Sequence, residues 1–394
     1  MKKVIGQNHD QDITLLKNKW CEEISEDTWA TYEACLSAVA TLTLEENNNP
    51  LGLILIGPSS GSKTTILNMF RDLPNNMTHY TDKFTPASFL TQAMNVRRDQ
   101  VANVDLIRKL PNKVFLVPEL APLFGIKEED LRQNMSTLTR VMDGQGLAND
   151  GGVHGHREFL EECIFVMLGA TVTIKPKVWS VISDMGTRLL FFQINESPID
   201  IEEKLLNQLE NSSTFKDRTD ELKLATEEFV GELFSQNGIR KRKWEYNSGS
   251  AEKFLTKISH FVTLLRTKYN EENERFNQME VPRRVLNQLY NLARGRAIIY
   301  GREQLEMSDM DLILSIALSS VPEARGQIVS YLLKCYPNNV TLKQLVPETR
   351  FKETKLREEL KNLEELGVVK KESGGQADHF KISDDWSGLH EIIN

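Results

Sequence analysis

The run Gly57-Pro58-Ser59-Ser60-Gly61-Ser62-Lys63-Thr64 constrains this chain more than any other feature. An apolar stretch of strand length, Leu51–Ile56, precedes it, and an apolar-periodic stretch through Phe70 follows it. Strand, glycine-rich loop and helix in that order make a phosphate-binding loop. Glycine lets backbone N–H groups close around phosphate oxygens, at a helix N-terminus whose dipole favours anions. Lys63 is placed to reach the β- and γ-phosphates and Thr64 to ligate Mg²⁺, with Pro58, Ser59, Ser60 and Thr65 completing the cradle. Gly57, Lys63 and Thr64 keep the spacing of a Walker A loop. The usual glycine before the lysine is Ser62 here, with Gly61 one place earlier. A Cβ at that point predicts weakened affinity. The competing reading is a Ser/Gly turn that happens to precede Lys-Thr.

Further along, Met77–Thr81, Val114–Val117, Glu162–Leu168 and Leu189–Ile194 read as strands. Between them, Thr85-Pro86 reads as the start of a helix. Leu131, Met135, Leu138 and Met142 line one face of another. Strands alternating with helices predict an α/β fold with a parallel five-stranded sheet covered on both faces. Upstream, residues 10–46 read as helical. From about 196 the chain turns helical and charged, with breaks at Asn211–Ser213 and Asn247–Ser250. Residues 282–300 form an amphipathic helix opening on Pro282, and Ser308 is read as the cap of the next. Thr341 caps a short helix, Leu356, Leu360, Leu363 and Leu366 line one that stops at Gly367, and Val368–Glu372 with His379–Ile382 reads as a two-stranded wing.

Lys113-Val-Phe-Leu-Val-Pro118-Glu119 is an apolar strand ending in an acid, a Walker B pattern in which Glu119 polarises the attacking water. The usual Asp before it is Pro118, so metal support falls to Thr64, water and the nucleotide. The plain alternative is a buried strand ending at an acidic turn.

With these motifs in this order, residues 50–335 resemble AAA+ ATPases, and the resemblance implies further roles. Thr171 or Thr173, after the fourth strand, sits where the family places its polar sensor 1. Arg188 in Gly186-Thr-Arg188-Leu-Leu-Phe-Phe192 looks like the arginine finger supplied to a neighbouring subunit, against the alternative of a local ion pair. Arg283 and Arg284 at the head of a lid helix look like sensor 2, against the alternative of a solvated helix end. The stretch 286–319 is similar to the lids of minichromosome maintenance helicases and magnesium-chelatase-type ATPases. The resemblance therefore implies an AAA+ core at 50–196, a charged helical insertion at 197–250 and a helical lid at 251–335; the residue pattern adds a helical segment at 1–49 and a winged-helix domain at 336–394. It implies ATP and Mg²⁺ as cofactors and a homo-oligomer, a hexameric ring among its forms. The Asp82–Phe89 and His154–Arg157 patterns also resemble a group of prokaryotic P-loop proteins of no established activity.

Three functions follow from that resemblance: a ring-forming ATPase acting on nucleic acid, in replication or mobility of a genetic element or defence against one; a protein-remodelling ATPase of magnesium-chelatase or MoxR type; and a non-hydrolysing ATP-gated switch, suggested by Ser62 and Pro118. The formal net charge of −8 disfavours nucleic-acid binding by bulk positive charge. A DNA contact must come from local donors. The Gly-rich stretch 144–157 offers His154, His156 and Arg157 where helicase-like relatives carry a pore-facing hairpin; the bland alternative is a surface loop. The wing offers Lys370 and Lys371, but glutamates interleave with Lys352, Lys355, Arg357 and Lys361, which leaves a protein partner equally open. Arg240–Lys243 reads as a solvated charge run, with Trp244 beside it able to stack on a base. No apolar run approaches the roughly 18 residues that span a bilayer. The four separated cysteines form no CxxC pair. A cytoplasmic protein is the expectation.

Overall fold

Helix-forming residues open the chain, but Ser25 breaks the predicted long helix in two. Its hydroxyl accepts the Asp27 N–H at 3.2 Å, so that α1 (His9–Glu23) ends before α2 (Trp29–Ala40) begins. The computed structural model describes residues 9–59, 62–92, 94, 97, 99–151, 154–186, 188–194, 206, 209, 213–270, 275–276, 278–374 and 377–393. The chain forms two compact units, Met1–Asn247 with Asn291–Leu305, and Ser248–Tyr290 with Glu306–Asn394.

The first unit is built on a five-stranded parallel sheet. Its strands are β1 (Leu51–Ile56), β2 (Thr78–Tyr80), β3 (Val114–Val117), β6 (Val166–Thr171) and β7 (Leu189–Gln193). In space they run β2-β3-β6-β1-β7. β1, β3 and β6 are buried along their whole length, as central parallel strands covered on both faces must be. The α/β class read from the alternating pattern is the class observed. On one face Ile54, Ile56, Phe115, Val117, Phe165 and Phe191 share a core with α4 (Glu128–Val141) and α5 (Pro176–Met185). On the other face α2 and α3 (Lys63–Asn68) pack on the strands. The helix expected from Thr85-Pro86 is a single turn, Pro86–Ser88. A small antiparallel hairpin, β4 (Leu147–Asn149) and β5 (Arg157–Phe159), lies between α4 and β6.

Within the predicted insertion, α6 (Phe215–Asn237) packs on α1 and α2. Trp20 stacks on Tyr32 at 4.1 Å, and Tyr32 Oη hydrogen-bonds Thr226 Oγ1 at 2.7 Å, which joins all three helices. Part of the Asn211–Ser213 break lies outside the described residues. In the Arg240–Lys243 run Lys241 and Lys243 are exposed, as expected of a solvated run, but the two arginines are engaged. Arg240 pairs with Glu162 and donates to Asn47 O at 3.2 Å, while Arg242 reaches Asn237 and Arg302 O. Trp244 is buried, so its ring is core and presents no face to a base.

α8 (Arg283–Ile299) begins in the second unit and ends in the first. Its second half is fastened to α2. Arg296 Nε and Tyr300 Oη both donate to Glu33 Oε1, at 3.0 and 2.8 Å. Gly295 permits the approach, because a Cβ there would lie 2.0 Å from Ser37 O.

The second unit contains α7 (Ser250–Arg266), α9 (Met310–Ser319) and α10 (Glu323–Cys335). The turn before α9 is capped by Glu306 and Asp309, which each bond the other's backbone, rather than by Ser308. Beyond α10 come β8 (Val340–Thr341), α11 (Leu342–Thr349), α12 (Glu353–Glu365), β9 (Val369–Gly374) and β10 (Ala377–Ile382). Thr341 does cap α11, in a capping box with Gln344, and the strands form an antiparallel sheet in the order β8-β10-β9. α10 packs against α11, α12 and β10. The helix assigned to the end of the lid is thus also the first helix of the C-terminal module, and the second unit runs through residue 336 without a break. Arg325 on α10 donates to Glu359 on α12 at 2.8 Å and to the Leu265 and Thr267 carbonyls at the end of α7. Trp386 lies 4.8 Å from Phe261 of α7. No described helix is long and apolar enough to cross a membrane.

Candidate functional site

Parallel strands end on the same edge of a sheet, which is where open α/β sheets bind ligands. Ile56 is in register with Thr171, and Val117 with Gly169. The loop after β1, Glu119 two residues past β3, and Thr171 at the end of β6 therefore meet on one edge of the first unit. Two backbone bonds tie them there. Gly57 N–H donates to Thr171 O at 3.3 Å, and Leu120 N–H to Ala170 O at 2.8 Å.

Gly57 passes close under β7, so that a Cβ on it would lie 3.3 Å from Ile194 Cβ. Lys63 is the first residue of α3 and is buried. Its Nζ curls back over the loop and donates to Gly57 O at 2.8 Å and to Pro58 O. Thr64 is exposed in the first turn and Thr65 is half-buried. Pro58 and Ser59 are exposed, whereas Ser60 and Gly61 lie outside the described residues. Ser62 has φ −50° and ψ 9°. Any L-residue takes that negative φ, so serine in the usual glycine place introduces no left-handed strain.

Glu119 is exposed, and its Oε1 accepts the Ala121 N–H at 2.7 Å. That bond orients the carboxylate and leaves Oε2 for another donor. Leu120 beside it packs over Gly169, where a Cβ would lie 2.6 Å from Leu120 Cδ1. Glycine inside an otherwise apolar strand is the sequence signal for such a close approach, and it identifies Gly169 and Leu120 as positioning residues that motif reading passed over. Thr171 is buried and Thr173 exposed.

Arg188, expected to project toward a neighbour, lies at 11% side-chain exposure in a local network. Its Nε meets Asp143 Oδ1 at 3.2 Å, and its Nη1 donates to Gly186 O at 2.8 Å and to Met185 O. Arg283 and Arg284 belong to the second unit. Arg283 is exposed, and Arg284 Nη1 lies 3.8 Å from Glu280 Oε1.

Of the residues expected to contact nucleic acid, Arg157 and His154 are buried, whereas His156, Lys370 and Lys371 are exposed. Arg157 is turned inward at 8% side-chain exposure, paired with the fully buried Asp105 and donating to Thr91 O. Two acceptors under cover hold it where no phosphate reaches. His154 is buried, and its N–H donates to Gln92 Oε1 at 3.2 Å. His156 is exposed on the hairpin, with Nδ1 2.6 Å from Asp150 and Nε2 3.3 Å from Glu158. These two carboxylates, Asp150 first, raise its pKa above 6.5. Lys370 pairs with Asp384 at 2.5 Å and Lys371 with Asp378 at 2.9 Å. Lys355, Arg357 and Lys361 pair with glutamates on their own helix. Among the described residues, no three His, Cys, Asp or Glu side chains form a metal-holding group.

No protein-family model matches this sequence, and no curated protein matches it. Solved structures are similar at low identity. A candidate ATPase from Cytophaga hutchinsonii is similar over 79% of this chain and 88% of its own, at 14% identity and TM-score 0.38. A full-length MCM homologue from Methanopyrus kandleri is similar over 82% of this chain and 63% of its own, at 13% identity and TM-score 0.40. The active helicase Cch of SCCmec type IV is similar over 95% of this chain and 71% of its own, at 11% identity and TM-score 0.38.

Proposed function

We propose that this chain is a P-loop ATPase of the AAA+ type. The observation that carries it is the convergence, on one edge of a parallel sheet, of the loop ending in Lys63-Thr64, the Glu119 carboxylate and Thr171. The residues fit ATP with Mg²⁺. Lys63 supplies the ammonium that meets phosphate charge, and the exposed Thr64 hydroxyl is the metal contact. Bound Mg²⁺ would neutralise charge on the phosphates. Glu119, held through Oε1, has Oε2 to take a proton from the attacking water. Thr171 fixes the loop through its carbonyl. Arg284, cationic and half-buried, is a further candidate for a phosphate contact, with Arg283 beside it. Assembly into a homo-oligomeric ring is part of the proposal. There Arg188 would serve a neighbour only after leaving Asp143.

The test separates binding from chemistry. Lys63→Ala should abolish ATP binding in calorimetry. Glu119→Gln should leave binding in place and reduce turnover strongly. Unchanged affinity in folded Lys63→Ala overturns the P-loop assignment. Tight binding with no turnover in the wild type favours a nucleotide-gated switch.

A specific observation favours protein over DNA as what the ATPase acts on. Exposed ion pairs such as Lys371–Asp378 contribute about 0–1 kcal/mol and yield to a phosphate. Arg157 and Trp244, by contrast, are buried. A DNA-acting role is left with His156 and the wing lysines. The C-terminal module is then an adaptor for a protein partner. DNA-stimulated ATPase activity, lost on neutralising Lys370 and Lys371, would reverse that preference.

A further inference from the structure

β6 ends in three buried residues, Gly169, Ala170 and Thr171. Each holds a different part of the ligand edge. Thr171 O accepts the Gly57 N–H at 3.3 Å, at the head of the phosphate loop, and Ala170 O accepts the Leu120 N–H at 2.8 Å. Gly169 leaves the space that the Leu120 side chain fills. A Cβ there would lie 2.6 Å from Leu120 Cδ1, 3.2 Å from its Cγ and 3.1 Å from Val117 O. Glycine inside a buried strand gives up packing and backbone order, so its presence is explained by what comes close to it. Leu120 is in turn fixed through every group it has. Its side chain is buried on Gly169, and its carbonyl accepts the Leu123 and Phe124 N–H groups at 3.0 and 3.2 Å, in the turn Ala121–Phe124. Glu119 sits between this rigid neighbour and Pro118, whose ring fixes the backbone on the other side. Its carboxylate is held at 2.7 Å by the Ala121 N–H.

We propose that the end of β6 sets the span between the phosphate loop and the Glu119 carboxylate, and that a side chain at position 169 separates turnover from binding. The effect is selective because the three holds are distinct. A methyl group at 169 pushes Leu120 off the strand and moves Glu119 with it, while Thr171 O keeps its bond to Gly57 and the loop stays in place. A reacting group displaced by about 1 Å loses up to about a hundredfold in rate. β1 supplies an internal comparison. A Cβ on Gly52 would lie 2.5 Å from Leu189 Cδ2, as crowded as at Gly169. Gly52 pairs with Leu189 and Ile56 with Gln193, which puts Gly52 toward the edge away from the loop. There a methyl group disturbs packing alone. That the reaction is hydrolysis of a nucleoside triphosphate rests on the P-loop proposal. That Gly169 places the 119–120 peptide rests on the geometry of β6.

The test uses the full chain as wild type, Gly169→Ala, Leu120→Ala, the double variant and Gly52→Ala. ATP turnover, calorimetric affinity for a slowly hydrolysed ATP analogue, and amide exchange at Leu120 and Gly57 are measured on each. Gly169→Ala should lower kcat by about tenfold or more and keep analogue affinity within about threefold. Its Leu120 amide should exchange faster and its Gly57 amide should not. Leu120→Ala should lower kcat with affinity kept, since the peg beside Glu119 is lost. The double variant should turn over faster than Gly169→Ala, because the shortened side chain clears the added methyl group. Gly52→Ala should lower the melting temperature without separating kcat from affinity. Wild-type kcat in Gly169→Ala overturns the proposal, as does a double variant no faster than Gly169→Ala, or the same selective loss in Gly52→Ala. If Gly169→Ala does not fold, wild-type kcat in Leu120→Ala overturns it. A wild-type chain that turns over no ATP overturns the hydrolytic reading instead. The Leu120 amide then still decides the placement, and unchanged exchange in Gly169→Ala overturns that too.

Discussion

A guanidinium inside a protein must be met by acceptors, and Arg157 is met by Asp105 and the Thr91 carbonyl. Removing it would leave the fully buried Asp105 with the Thr91 N–H at 3.0 Å and a weak contact to Arg108 at 3.4 Å. Breaking a buried pair from one side destabilises by about 3–5 kcal/mol. Arg157→Ala should therefore lower stability by that order in denaturant unfolding, with Arg157→Lys restoring only part, since an ammonium lacks the fork. If Arg157→Ala unfolds like wild type, the pair is not structural. Sequence shows an arginine in a glycine-rich stretch, and its partner is 52 residues away, so nothing local marks it as internal. Lys63 was legible for the opposite reason. Its strand, loop and helix are contiguous, and the spacing alone carries the geometry. Glu119 was legible in the same way, as the acid that ends an apolar strand.

At the scale of elements, strands buried on both faces announce themselves as apolar runs, as β1, β3, β6 and β7 do. The hairpin of β4 and β5 does not, since its strands have three residues each and bury only one apiece. Its tip is clasped by His156 between Asp150 and Glu158, side chains whose roles depend on a fold of the loop that no periodicity reveals. The clasp gives the hairpin a pH dependence of definite sign. The folded pKa of His156 is raised above its ordinary 6.5. Its contribution is complete below the unfolded value and is lost as pH rises through the folded one. Amide exchange at residues 147–149 and 157–159 should accelerate across that window, beyond its ordinary base-catalysed rise, and His156→Ala should remove the excess. An excess that persists in His156→Ala places the cause elsewhere. The C-terminal module was legible in its parts, Thr341, the leucine face and the wing. Its first helix was not, because α10 follows α9 directly and reads as one more lid helix.

For the whole molecule, that helix decides where the chain can be cut. Ile328, Val329, Leu332 and Leu333 of α10 are buried, in a unit where α11, α12 and β10 pack against the helix. Deleting residues 336–394 should therefore lower the melting temperature and raise binding of an apolar dye, rather than release an intact lid. A truncated chain that melts like the full one would restore 336 as a domain boundary. Neither unit is a single stretch of sequence, for the chain leaves the first unit, returns through α8 and leaves again. This bears on synthesis. Glu33 and Arg296 are 263 residues apart. At about 5–20 residues per second, roughly 13–53 s separate the two on the ribosome. Throughout that interval α2 has emerged with a buried-to-be carboxylate and no arginine to meet it. The Gly57–Lys63 loop, made early, thus sits in a unit that cannot close until the Ser248–Tyr290 stretch of the other has been translated.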